Sequence, residues 1–167
     1  MASSKQDQDI VIQITKDFKG ATISELKIKK LIKTLCKRFA GRKPAGTKHE
    51  ISIAIVGDEE IKKFNRNFLN RKTVTDCLSF DLSDDEEGPK VFELIVNGEM
   101  AVRQANQRGH SSEAELALYI AHGLLHNLGF DDLTAGNARK MHETEDEILQ
   151  EFGYGPVYNK HAKPKER

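Results

Sequence analysis

The chain has 167 residues, 38% apolar and 31% charged, with 26 basic side chains balanced by 26 acidic ones. That length suits one domain with a sizeable core, and that composition excludes wholesale disorder. No apolar stretch is long enough for a membrane-spanning helix, so no membrane partner is expected. The zero net charge hides an uneven distribution. Residues 19–48 hold ten Lys or Arg and a single acid, Glu25, whereas residues 81–99 hold seven acids and one Lys. A local basic face is enough to meet a polyanion, although the same lysines equally suit the solvated side of an amphipathic helix.

Residues 1–9 are polar, lack the apolar core of a signal peptide, and are expected to form a flexible leader. The β-branched run Ile10–Ile14 predicts a first strand. Thr22 or Ser24 is placed to cap a helix whose Leu26, Leu31, Ile32, Leu35 and Phe39 line one face, with Ile28 near its edge. Gly41 and Pro44 stop it. Glu50–Val56 alternates Ile51, Ile53 and Ile55 and predicts a second strand well inside a sheet. Asp58 is expected to cap a short helix carrying Ile61, Phe64, Asn65 and Phe68. A basic loop follows, then a third strand over Thr75–Phe80.

Asp81–Pro89 is an acidic loop, Val91–Val96 a fourth strand, and Glu99–Gly109 a helix. Ser111 or Ser112 caps the next helix, with Ser112 and Glu115 in capping-box spacing. That helix is apolar on most sides and therefore buried. A last helix runs from about Ala135 to Phe152, and 159–167 is expected to be a basic flexible tail. The pattern predicts a single α/β domain over 10–158. Its core is a small, four-stranded, mostly parallel mixed sheet packed with about five helices, the first and third strands being suited to its edges. Cys36 and Cys77 read as buried thiols of a reducing compartment. His142 and His161 read as surface residues.

One stretch carries chemistry: His122-Gly123-Leu124-Leu125-His126-Asn127-Leu128-Gly129-Phe130-Asp131-Asp132. Two histidines four apart leave a helix on one face. Gly129 is suited to a left-handed turn that ends the helix. Asp131 or Asp132 then comes back toward the imidazoles. Two imidazoles and one carboxylate leave a fourth position open on zinc, as catalytic sites do. A zinc peptidase of the His-Glu-x-x-His type carries its base directly after the first histidine, and here that place is Gly123.

These residues resemble a known family, the YbeY endoribonucleases. The family signature His-Gly-x-x-His-x-x-Gly-Tyr-Asp-His is similar to residues 122–132. Its segment Pro-Thr-Asp-Val-Leu-Ser-Phe resembles Val74-Thr75-Asp76-Cys77-Leu78-Ser79-Phe80. The order of elements is similar from about Ile10 to Tyr158. The chain departs from the family at four places. Asp132 stands where the family has its third ligand histidine, and Leu69 where it has an arginine. Phe92-Glu93 replaces Gly-Asp, and Val74 replaces proline.

The resemblance implies a zinc-dependent, single-strand-specific endoribonuclease of ribosomal RNA maturation and ribosome biogenesis in the cytoplasm. Its partners would be RNA and the ribosome or ribosomal proteins. One Zn²⁺ per chain would be held by His122, His126 and Asp132. Asp131 would be the catalytic carboxylate that orients water, or else would hold the far nitrogen of a ligand imidazole. The residues themselves suit Arg66, Arg71 and Lys72 to RNA contacts or equally to solvation of the helix and loop, and Thr75, Asp76 and Ser79 to a cleft wall or equally to strand capping and hydrogen bonding. No aromatic array for base stacking is expected. Two other classes suit the same residues: a metal-dependent hydrolase of another substrate such as a peptide, and a catalytically silent RNA- or ribosome-associated protein.

Overall fold

The computed structural model describes residues 10–41, 43–44 and 46–158; the leader, the tail with His161, and Arg42 lie outside the described residues. Strands and helices follow in the order β1 (Ile10–Lys16), α1 (Glu25–Phe39), β2 (His49–Val56), α2 (Asp58–Leu69), β3 (Cys77–Asp81), β4 (Val91–Asn97), α3 (Gly98–Arg108), α4 (Ser112–Asn127) and α5 (Ala135–Glu151). The sheet order is β1-β2-β4-β3. β1, β2 and β4 are parallel, and β3 runs antiparallel to β4. This is the mixed sheet that the sequence predicts, with the first and third strands at its edges.

Alternation decides which side chains meet which layer. Ile51, Ile53 and Ile55 of β2 pair in register with Phe92, Leu94 and Val96 of β4. They share one core with Leu31, Ile32 and Leu35 of α1 and with Leu116, Ile120 and Leu124 of α4. Burying each such side chain contributes about 1.5–3 kcal/mol. The opposite face carries Val56, Leu78 and Ile95, covered by Ile61 of α2.

Three local expectations change. Leu26 is 64% exposed, while Ile28 sits in the middle of the buried stripe of α1. At 100° per residue Leu26 points away from the stripe through Ile28, Leu31 and Leu35. Asp58 does not cap α2: Gly57 is the cap residue, and Glu99 accepts the Asp58 N–H at 2.9 Å. The Asp58 carboxylate instead accepts from Asn97 and Arg103. In α4 the cap is Ser111, whose hydroxyl accepts from the Ala114 N–H, and no Ser112–Glu115 box forms. Glu115 is fully buried and bonded to Arg108 and His110.

Cys36 is buried, and burial pushes its thiol up to about 12. Cys77 is only half-buried, on the face of β3 that meets α4. That contact explains Gly123. A Cβ there would sit 2.6 Å from the Cys77 sulfur and 3.0 Å from a Leu94 methyl carbon. Helix and sheet therefore touch at a residue without a side chain. Gly123→Ala gains about 1 kcal/mol of helix propensity but forces the layers apart at a cost of about 1–3 kcal/mol. Net destabilisation in urea unfolding is the expected result, and Gly123→Leu should fail to fold.

Candidate metal centre

The end of α4 builds the site. Its last turn closes through Gly129 N–H to the His126 carbonyl at 3.1 Å and Phe130 N–H to the Leu125 carbonyl at 3.0 Å. Gly129 adopts φ +103°, a left-handed conformation that glycine accepts without strain. The turn sends the chain back so that the Phe130 carbonyl lies 3.2 Å from Nδ1 of His126. Phe130 is anchored edge-on against Phe39 of α1, with ring centroids 5.0 Å apart.

His122 is held by a residue from another helix. Its Nδ1 lies 2.6 Å from Oε2 of Glu145 on α5, and Oε1 of Glu145 lies 2.7 Å from Nδ1 of His142. Glu145 is only 1% exposed, so one buried carboxylate serves two imidazoles. The His142 ring lies flat on Tyr158, with centroids 3.6 Å apart. Tyr158 is tied back to α5 through its N–H on Asp146. His142, expected at the surface, is thus a half-buried part of the site. Burial opposes protonation of His122, but the bond and charge of Glu145, with Asp76 and Asp132 adding to it, hold that imidazole above its ordinary value. Burial would raise Glu145, yet its bonds from His122 and His142 hold it below its ordinary value.

These bonds determine where the lone pairs point. A carboxylate and a carbonyl only accept, so both Nδ1 atoms donate and, in the neutral rings, both Nε2 atoms carry lone pairs. The two Nε2 atoms face each other at 3.0 Å, with the rings at 90°. Two lone pairs at that distance repel unless a proton or a cation lies between them. Ligand atoms on tetrahedral zinc stand about 3.3 Å apart, given zinc–ligand bonds near 2.0–2.1 Å. Asp132 is exposed, and its Oδ2 lies 3.9 Å from Nε2 of His126. His122, His126 and Asp132 offer ligand atoms within 4.8 Å of one another. The donor set fits a divalent metal, with the carboxylate free to draw in. His122, His142 and Glu145 satisfy the same distance, but there the carboxylate is already spent on both Nδ1 atoms.

Asp131 accepts from the Leu133 N–H and from the Asn137 amide, and so fixes the loop that carries Asp132. The far nitrogens of the two imidazoles go to Glu145 and to the Phe130 carbonyl. A cavity of about 400 Å³ opens beside His122 and is lined by Thr75, Asp76, Tyr119, His142 and Tyr158 among others. Thr75 and Asp76 are both among the residues that line this cavity. Ser79 does not line the cavity; it lies under Gly123, on the face of β3 turned to α4. Arg66, Arg71 and Lys72 are exposed at the end of α2 and in the turn after it, outside the cavity lining. The same corner groups Phe64, Phe68 and Phe80, with Phe68 64% exposed. Glu145 and His142 are participants that the sequence pattern did not mark as such.

The chain is an α/β protein whose buried central helix ends in a candidate imidazole–carboxylate metal centre facing a cleft. The family model described as Endoribonuclease YbeY matches residues 13–153, and the chain belongs to that family. The endoribonuclease YbeY proteins of Staphylococcus aureus strains JH9 and Newman are each 36% identical over 113 residues, covering 62% of this chain and 73% of the relative. The solution structure of TM1509 from Thermotoga maritima shares the fold at TM-score 0.54 and 22% identity, covering 94% of this chain and 96% of that one. Among the described residues no helix is long and apolar enough to cross a membrane.

Proposed function

We propose that this chain is a zinc-dependent endoribonuclease that cuts single-stranded RNA in cytoplasmic ribosomal RNA maturation. Membership of the YbeY family supports RNA as the substrate. The convergence of the His122 and His126 Nε2 atoms at 3.0 Å, with both Nδ1 atoms already taken, carries the metal dependence. His122, His126 and Asp132 would hold one zinc ion. When bound, zinc supplies a Lewis acid for a phosphoryl oxygen and lowers the pKa of water.

The other tasks fall to the chain. Glu145 and the Phe130 carbonyl fix the two rings, and Asp131 sets the loop of Asp132. Arg66, Arg71 and Lys72 meet phosphates where the strand leaves the cleft. Peptide hydrolysis fits poorly, because the contact of Gly123 with Cys77 leaves no room for the glutamate of a zinc peptidase.

The purified chain should carry stoichiometric zinc and cleave single-stranded ribosomal RNA. Asp132→Asn should weaken zinc binding by more than the roughly 10–100-fold that loss of a carboxylate merely supporting a ligand costs. Asp132→His should retain the metal. Protein purified with ample zinc yet free of metal would overturn the proposal. So would peptide cleavage without RNA cleavage, or RNA binding without any cleavage.

A further inference from the structure

The cavity beside His122 must accept a polyanion if the proposed function holds, yet two of its lining residues, Asp76 and Glu145, are acids. Arg108 is the one Lys or Arg among its lining residues. Leu69, which stands where the family resemblance expects an arginine, is 46% exposed and does not line the cavity. We infer that Arg108, held on the buried carboxylate of Glu115, binds a phosphate of the RNA strand that flanks the scissile one. This rests on the RNA-cleaving reading and deepens it.

The anchor is specific. Arg108 is the last residue of α3, and its Nη1 donates to Oε1 of Glu115 at 2.5 Å. Glu115 is 0% exposed, and its other oxygen bonds His110. A guanidinium offers five N–H donors. Among the described residues only Nη1 of Arg108 is engaged. Arg103 of the same helix differs, because both its Nη atoms are spent on Asp58. Arg108 is therefore oriented at one nitrogen, with a face of its fork left for an anion, the geometry in which arginine binds phosphate best.

Its position follows from α4. Glu115, Tyr119 and His122 succeed one another at steps of four and three, so they share one face of the helix. Seven residues span about 10 Å along the axis. Arg108 thus stands at the far end of the cavity from His122, with Tyr119 between them. That spacing assigns it to a flanking phosphate and to binding, with no part in the bond cleavage.

The test is single-turnover cleavage of single-stranded RNA by the zinc-loaded full chain. Arg108→Gln removes the charge and keeps an N–H for Glu115. It should raise the half-saturating RNA concentration about tenfold, as expected for one charge-assisted contact, and leave the maximal rate unchanged. The slope of log affinity against log salt should become shallower by about 0.7, the value for one lost single-strand phosphate contact. Arg108→Lys should keep that slope.

Gln104→Glu lies one helical turn before Arg108 on the same wall, leaves the Glu115 anchor untouched, and should also raise the half-saturating concentration. It provides the reading should Arg108→Gln not fold. Unchanged half-saturation or unchanged salt slope in a folded variant overturns the inference while the RNA-cleaving reading stands. A wild-type chain that neither binds nor cleaves RNA overturns both.

Discussion

His126→Ala should reduce bound zinc from one ion per chain to a trace and lower RNA cleavage by about a thousandfold, the scale on which losing a key transition-state donor slows enzymes. The fold should survive. The His126 side chain is 31% exposed, and its ring bonds are a 3.2 Å contact to the Phe130 carbonyl and the apposition to His122. Removing it also relieves the two facing lone pairs of the metal-free state. The metal-free variant should therefore unfold at a temperature close to that of metal-free wild type. Only wild type should gain stability on adding zinc, because a ligand stabilises the state that binds it. Metal analysis, cleavage assays and melting with and without zinc check the three parts. Equal cleavage by both proteins would place the active centre elsewhere.

The sequence made one half of this site legible and hid the other for a physical reason. The i, i+4 spacing of His122 and His126 and the glycine at 129 are local signals, and helix geometry turns them directly into side-chain direction. The alternation of Ile51, Ile53 and Ile55 likewise foretold an inner strand. Glu145 lies 23 residues after His122, in a helix that also carries Glu143, Asp146, Glu147 and Glu151. Which acid turns inward depends on how α5 rolls against α4, and no local rule fixes that.

A weak signal was nonetheless present. Glu145 follows Met141 by four residues and precedes Ile148 by three, which puts an acid on the apolar stripe of α5. Glu115 carried a similar mark, as an acid on a helix apolar nearly all round. Both are buried, and each gathers two basic side chains. An acid in the apolar period of a helix thus pointed to a cluster, where capping-box spacing at Glu115 suggested only a helix start.

Glu145 is also where the second large effect is expected. Its two oxygens accept from two imidazoles, a task that glutamine cannot copy, because its amide presents one acceptor and one donor. In Glu145→Gln either His122 or His142 meets an N–H and must change tautomer or turn away. If His122 changes tautomer, its proton moves to Nε2, the atom that faces His126. Zinc affinity should fall about 10–100-fold, as for other carboxylates that support a ligand histidine, and cleavage should fall with it at limiting zinc. Excess zinc should recover part of the activity, which no excess recovers in His126→Ala.

The metal-free Glu145→Gln protein should also lose about 1–3 kcal/mol of stability, since a buried hydrogen-bonding group is left unmatched. Glu143→Gln, two residues away and exposed, should change neither property. Competition with a calibrated zinc chelator and urea unfolding measure the two effects. Wild-type zinc affinity in Glu145→Gln would mean that His122 holds its direction without the carboxylate, and the link from α5 to the metal centre would be lost.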